Sequence, residues 1–173
     1  MNKKVGVEVD KEVAKFFDDS SIKHNGSPIL AIVMGGNGAG KTTHIHDNFS
    51  HGYVIVNAEE IYRNIEIFDD FGKKSQKIVN EIGEAVVDKA ITEQRNIVLE
   101  MIGHTEGSLD TIIEAMTSLG YEVEITEVKS DIKEAYERHL DAVTNDKGYL
   151  PTYFSEDYHI AWILKAVNKL SKN

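Results

Sequence analysis

The stretch that decides the fold is Ile29-Leu-Ala-Ile-Val-Met34 followed by Gly35-Gly-Asn-Gly-Ala-Gly-Lys-Thr42. Its first half is an apolar run that begins after Pro28, and a short run between turn residues is typical of a strand that is buried on both faces. Its second half satisfies the pattern G-x-x-x-x-G-K-S/T, in which glycines let the backbone turn its N–H groups toward a phosphate. A helical stretch follows over residues 43–48. The sequence therefore predicts a buried strand, a phosphate-binding loop and a helix, in that order.

The end of this loop has specific chemical roles. Lys41 is predicted to reach the β- and γ-phosphates of a nucleotide as a catalytic residue, and the Thr42 hydroxyl is predicted to ligate Mg²⁺. The N-terminus of the following helix adds its partial positive charge. The pattern thus implies a nucleotide and Mg²⁺ as ligands. The nucleotide-binding residues that it predicts are Gly35, Gly36, Asn37, Gly38, Ala39, Gly40, Lys41, Thr42 and Thr43.

Short apolar runs alternate with helical patterns along the rest of the chain. Runs like the first recur at residues 53–56, 96–99 and 121–125. This alternation predicts an α/β fold with three layers and a mostly parallel sheet. Residues 59–95 contain no strand pattern, and we expect two helices there, broken near Gly72. They form a helical insertion after the second strand and one wall of a substrate cleft.

The length of 173 residues fits a single domain. We expect an N-terminal helix over residues 8–22, with a loop that completes a leading segment at residues 1–27. The core that carries the phosphate-binding loop is predicted to occupy residues 28–152, and a C-terminal helix residues 153–173.

Charge and composition exclude several classes of protein. With 19 basic and 29 acidic residues, the net charge is −10, which argues against a general binder of nucleic-acid backbones. There is no cysteine, so disulfides and zinc–thiolate sites are excluded. No apolar run approaches the roughly 20 residues of a membrane span, and the first residues do not form a signal peptide. We therefore expect a cytoplasmic protein that does not bind membranes.

Four further pieces follow the phosphate-binding loop, and their order is informative. They are Val56-Asn-Ala-Glu-Glu-Ile-Tyr-Arg63, Asn96-Ile-Val-Leu-Glu-Met-Ile-Gly103, Gly120-Tyr-Glu-Val-Glu-Ile125 and Ala135-Tyr-Glu-Arg138. Together with the loop they resemble the zeta-toxin kinases over about residues 28–152. The resemblance implies an α/β P-loop kinase that uses ATP and Mg²⁺. Many members of that family phosphorylate UDP-N-acetylglucosamine and are neutralised by an antitoxin partner.

Glu59 is the candidate general base. It stands where the resembled family has an aspartate, just past the C-terminal end of a predicted strand, in the crevice where doubly wound folds bind ligands. A carboxylate there can accept the proton of a substrate hydroxyl. The alternative is that Glu59 only stabilises the N-terminus of a helix that starts near Ala58. Glu60 is a second candidate for the base and is otherwise assigned to substrate binding.

Two further candidates each have a structural alternative. Arg138 is predicted to be a catalytic lid arginine that stabilises the transferring phosphoryl group; its alternative is a surface pair with Glu134. Glu100 ends a predicted buried strand, where it either accepts a substrate hydroxyl, anchors Mg²⁺ through water, or is a paired structural carboxylate.

Arg63 and Lys147 complete the predicted acceptor side. Arg63 is predicted to be a cation on the substrate side. Lys147 stands near the position of a second arginine in the resembled family, and lysine lacks the bidentate fork of arginine.

These residues predict a kinase that transfers the γ-phosphoryl group of ATP to a hydroxyl of a small molecule, with a UDP-amino-sugar suggested by the resemblance. One alternative is a nucleoside, nucleotide or polynucleotide-end kinase. Another is a non-catalytic ATP-binding module that a partner protein regulates. A third is a toxin-like protein controlled by an antitoxin-like partner.

Overall fold

The computed structural model describes residues 7–17, 26–103 and 107–173. In these ranges the strands are β1 (Ile29–Met34), β2 (Val54–Val56), β3 (Ile97–Met101) and β4 (Glu122–Glu127). The helices are α1 (Val9–Ala14), α2 (Lys41–Phe49), α3 (Ala58–Ile65), α4 (Lys73–Thr92), α5 (Ser108–Ser118), α6 (Ile132–Asn145) and α7 (Thr152–Ser171).

The four strands form one parallel sheet in the order β2-β3-β1-β4. The strand that carries the phosphate-binding loop is therefore central, with Leu30 opposite Ile97 on one side and Val123 on the other. Parallel strands need crossover connections, and the helices supply them. The predicted α/β fold with a parallel sheet is confirmed.

Alternate residues of each strand pack into two different cores. Leu30 and Ile32 of β1 face a large core that includes α4 and α7, whereas Ala31 and Val33 face a smaller core with Ile45 of α2. Because successive side chains of a strand point to opposite faces, one apolar run fills both cores. The result is the predicted arrangement of three layers.

The helical insertion after the second strand is present as α3 and α4, and α4 begins directly after Gly72. The predicted break near this glycine is therefore confirmed. Within every described range, each helix is either too short or too polar to cross a lipid bilayer.

Several boundaries differ from the predicted ones. The predicted helix over residues 8–22 is wrong in length among the described residues, because α1 ends at Ala14. Phe16 lies in the turn that follows and is buried in the core, so packing rather than helical spacing accounts for its apolar character. The part of the prediction at residues 18–22 lies outside the described residues. Strand β3 continues to Met101, which places Glu100 inside the sheet, and α2 starts at Lys41, two residues before its predicted start.

Candidate nucleotide-binding and active site

The phosphate-binding loop joins the central strand to α2. Lys41 is the first residue of α2 and is only 3% exposed. Its ammonium group donates a hydrogen bond to the Gly36 carbonyl, with 2.8 Å between the two atoms. Burial lowers the pKa of Lys41, while the carboxylates of Glu100 and Glu156 oppose that shift. The Lys41 ammonium group thus lies against the loop that is predicted to bind the phosphates.

Helix α6 lies directly over this loop. Gly38 has φ +75°, and a Cβ at this position would collide with the Ala135 carbonyl of α6, so the close approach requires glycine. The Arg138 Nε donates to the Gly38 carbonyl at 2.7 Å. The predicted lid arginine therefore contacts the phosphate-binding loop and does not pair with Glu134 in any described contact.

Glu100 links the loop to the second strand. Its carboxylate is 6% exposed and accepts hydrogen bonds from the Thr42 hydroxyl at 3.2 Å and from the Asn57 amide at 3.0 Å. Burial raises the pKa of Glu100, and Lys41 opposes that shift. A hydroxyl and a carboxylate brought together in this way are the oxygen donors that a hard cation such as Mg²⁺ prefers.

Asn57 fixes the start of α3 and was not predicted as a site residue. Its side-chain oxygen accepts hydrogen bonds from the backbone N–H groups of Glu59 at 2.9 Å and Glu60 at 3.4 Å. Asparagine is a preferred N-cap residue, and acidic residues favour the first turn of a helix. The sequence Asn-Ala-Glu-Glu was the signal that could have identified this cap.

Both oxygens of Glu59 accept hydrogen bonds. Oε1 accepts from Arg63, with 2.7 Å to Nη2, and Oε2 accepts from the Leu150 N–H at 3.1 Å. Burial raises the pKa of Glu59, and Arg63 opposes that shift. The guanidinium of Arg63 also donates twice to Asp146, at 2.9 and 2.6 Å. Arg63 therefore bridges two carboxylates and orients Glu59, a role that the sequence did not reveal because Asp146 is 83 residues away.

One cavity of about 190 Å³ brings the predicted catalytic groups together. Its lining includes all three predicted catalytic residues, Lys41, Glu59 and Arg138, together with the predicted Mg²⁺ ligand Thr42 and the predicted substrate-binding residue Glu100. Gly38 and Gly40 of the loop and Thr43 of α2 line it as well. The walls thus combine the loop, α3, β3 and α6.

Glu60 and Lys147 do not line this cavity. Glu60 is half-buried on α3, where burial raises its pKa and His46 opposes that shift. Lys147 is exposed and lines a neighbouring cavity of about 440 Å³, together with aromatic residues such as Tyr62 and Phe71. Tyr149 lines both cavities. Of the predicted acceptor-side residues, Glu100 therefore lines the cavity of about 190 Å³ and Lys147 lines the aromatic one, whereas Glu60 and Arg63 line neither of these two cavities.

A third cavity, of about 500 Å³, lies on the other side of the loop. It is bounded by Gly35 and Asn37 of the loop, by Val128 after β4, and by Ile132 and Tyr136 of α6. Tyr136 is 62% exposed, so its ring offers an open aromatic face next to the phosphate-binding loop.

Two solved structures have a similar fold. A chain in the structure of the Pnkp1/Rnl/Hen1 RNA repair complex matches with a TM-score of 0.55 and 15% identity, covering 85% of this chain and 47% of that chain. A chain from the PezAT chromosomal toxin–antitoxin system of the human pathogen Streptococcus pneumoniae matches with a TM-score of 0.58 and 18% identity, covering 95% of this chain and 69% of that chain. The chain thus spans about half the length of the RNA repair protein. At these identities the likeness shows the fold alone.

No curated protein sequence matches the chain significantly. The family model of the zeta toxin, however, matches residues 13–172. This range includes the phosphate-binding loop, the Asn57 cap with Glu59, the strand that carries Glu100, and Arg138. The chain therefore belongs to the zeta toxin family.

Proposed function

We propose that this protein is an ATP-dependent kinase that transfers the γ-phosphoryl group to a hydroxyl of a small molecule. The observation that supports this most is the shared cavity, because its walls carry a P-loop lysine, a lid arginine and a carboxylate at the end of the second strand. Phosphoryl transfer needs a cation cradle for the phosphates and a group that positions the attacking hydroxyl. Residues that could fill both roles line the same cavity.

The reaction assigns one task to each side chain. The acceptor oxygen forms a bond to the γ-phosphorus while the bond from that phosphorus to the β-phosphate oxygen breaks, which releases ADP. Glu59 takes the proton of the acceptor hydroxyl, and Arg63 and the Leu150 N–H hold its carboxylate in place. Lys41 and Arg138 stabilise the negative charge on the transferring group.

Thr42 and Glu100 would hold the Mg²⁺ that accompanies ATP. Their oxygens are 3.2 Å apart at the edge of the phosphate-binding loop. When bound, Mg²⁺ supplies positive charge to the β- and γ-phosphate oxygens.

The two larger cavities are the candidate sites for the two substrates. The adenosine half of ATP would occupy the space of about 500 Å³ beside the loop, against Tyr136 of α6. The acceptor would enter from the aromatic cavity of about 440 Å³, which meets the central cavity at Tyr149. The aromatic walls suit a ring-containing acceptor, and a UDP-amino-sugar is the acceptor class that the family suggests.

The decisive experiment measures phosphoryl transfer from γ-labelled ATP with Mg²⁺ to a panel of acceptors. The panel contains UDP-N-acetylglucosamine, free N-acetylglucosamine, a nucleoside and an oligonucleotide with a 5′-hydroxyl. We expect a labelled small-molecule product with the wild type and none with Lys41→Ala, because that variant lacks the positive charge at the phosphate-binding loop. Labelling of the oligonucleotide would instead establish a polynucleotide-end kinase. ATP binding without transfer to any acceptor would overturn the kinase in favour of a non-catalytic module.

We also propose an antitoxin-like protein partner. The support is family membership and the likeness to a chain of a toxin–antitoxin system. The test is titration of a candidate partner into the transfer assay. A stoichiometric loss of activity is expected, and unchanged activity with a partner that binds would contradict regulation at this site.

A further inference from the structure

Three residues of α7 contact segments at the carboxyl end of the sheet, where the candidate active site lies. The backbone N–H of Thr152 donates to the Asn37 side chain of the phosphate-binding loop at 2.8 Å. Glu156 accepts hydrogen bonds from the backbone N–H groups of Ile102 and Gly103, both at 3.2 Å, just past the end of β3. One turn later His159 follows on the same helix face. Glu156 and His159 are both fully buried, at 0% exposure, so neither can contact substrate.

His159 contacts the first residue of α3. Its Nε2 accepts a hydrogen bond from the Ala58 N–H at 2.9 Å. A backbone N–H can only donate, so this nitrogen carries no proton, and the ring is neutral with its proton on Nδ1. Nδ1 has no hydrogen-bond partner among the described residues. The ring also lies next to the backbone of Glu100.

The contact completes an unusual helix cap. The first N–H groups of a helix have no partner within the helix. At the start of α3, Asn57 serves the N–H groups of Glu59 and Glu60, and His159 serves that of Ala58. The asparagine belongs to the same segment as the helix, whereas the histidine belongs to α7, 101 residues away. The histidine therefore ties the cap to α7, while the Asn57 amide ties it to Glu100 of β3.

We propose that His159 is a positioning residue for phosphoryl transfer, which holds the N-terminus of α3 so that the Glu59 carboxylate faces the reacting hydroxyl. It acts through the Ala58 N–H and touches neither substrate. The inference rests on the proposed kinase function, because it assumes Glu59 as the base. On this proposal the buried face of α7 orients the N-terminus of α3 in addition to packing in the core.

A pair of amide variants tests this contact in the full-length chain. The side chain of His159→Gln reaches the position of Nε2 and can still accept from Ala58, whereas that of His159→Asn is one methylene shorter and cannot. We expect kcat of His159→Asn to fall about 10- to 100-fold, since a misplacement of about 1 Å can cost that much. The Kd for ATP should stay near that of the wild type, because the loop lysine is not held by His159. His159→Gln should restore most of kcat.

Ile163→Val provides the control for lost packing, since Ile163 is equally buried on α7 and is not part of the site. It should leave kcat unchanged. A second readout is independent of activity: amide hydrogen exchange at residues 58–60 should speed up in His159→Asn and not in His159→Gln. Equal kcat and equal hydrogen exchange in the two amide variants would overturn the proposal. A higher KM for ATP with an unchanged kcat in His159→Asn would overturn it as well. If the wild type transfers no phosphoryl group, the kinase assignment fails, and the exchange measurement alone decides whether His159 holds α3.

Discussion

At the scale of single residues, Glu59 is constrained more than a surface carboxylate would be. Both of its oxygens accept hydrogen bonds, from Arg63 and from the Leu150 N–H, and its pKa is raised by burial. A raised pKa brings a carboxylate closer to the range where it can take up a proton during turnover. The same contacts leave its side chain with one orientation, toward the cavity that it shares with Lys41 and Arg138.

Glu59→Gln should therefore separate catalysis from binding. The amide keeps one acceptor oxygen, for either Arg63 or the Leu150 N–H, and cannot take a proton, so we expect kcat to fall by about 10²- to 10⁴-fold. The Kd for ATP, measured by calorimetry, should change little. Glu66→Gln is the matched control, because it removes the same charge from the exposed end of α3. If Glu60→Gln abolished turnover and Glu59→Gln did not, the base would be Glu60.

At the scale of helices, α4 and α7 touch at one very close point. A Cβ on Gly83 of α4 would collide with the six-membered ring of Trp162 on α7. The indole N–H donates to the Asn80 side chain at 2.8 Å, which fixes the ring in that position. Two ion pairs at the rim, Lys165–Glu84 and Lys169–Asp88, are solvent-exposed and contribute little to stability. The glycine–tryptophan contact therefore sets how closely the two helices approach at this point.

Gly83→Ala should destabilise the protein although alanine favours helices. The gain in helix propensity is about 1 kcal/mol, and overpacking in a core costs about 1–3 kcal/mol. Because the neighbour is a rigid ring, we expect a net loss in the free energy of unfolding, measured by urea denaturation. In a Trp162→Phe background, where the ring is smaller, the cost of Gly83→Ala should shrink. A variant that is more stable than the wild type would show that the ring yields freely.

At the scale of the whole molecule, His159 makes global stability depend on pH. Burial lowers the pKa of His159 to about 4, against about 6.5 in an unfolded chain. Between these pH values the unfolded state binds a proton that the folded state excludes. The contribution of His159 to the free energy of unfolding is therefore fully present above pH 6.5 and is lost as the pH drops toward 4. Glu59 and Glu100 have raised pKa values, so their titration acts in the opposite direction.

The comparison of wild type with His159→Gln isolates the histidine. Relative to that variant, the wild type should lose about 3 kcal/mol of unfolding free energy between pH 7 and pH 4. Urea denaturation at a series of pH values measures this difference, in which the contributions of the carboxylates cancel. Parallel curves for the two proteins would contradict a neutral buried histidine.

The sequence predicted those features of the molecule that depend on residues close together in the chain. The loop pattern identified Lys41 and Thr42, and the order of strands and helices gave the parallel sheet and the break near Gly72. Glu59 and Arg138 could be proposed because the order of the motifs resembles the zeta-toxin kinases, and Glu59 also follows the end of a predicted strand. The cap by His159 and the Arg63–Asp146 pair could not, since each joins residues more than 80 positions apart. The early end of α1 was missed because Phe16 has helical spacing but packs from a turn.

Helix α6 buries no residue of its own. Its apolar side chains Ile132, Tyr136, Leu140 and Val143 are all more than half exposed, and its contacts gather around the cleft, through Arg138 to the loop and through His139 to the Tyr149 hydroxyl at 2.7 Å. Its local unfolding free energy should therefore be among the smallest in the molecule. A ligand that binds across the loop and this helix stabilises the helix by the same free energy that the helix contributes to binding, as thermodynamic linkage requires. The local unfolding free energy of α6, measured by amide hydrogen exchange, should therefore rise as such a ligand fills the cleft.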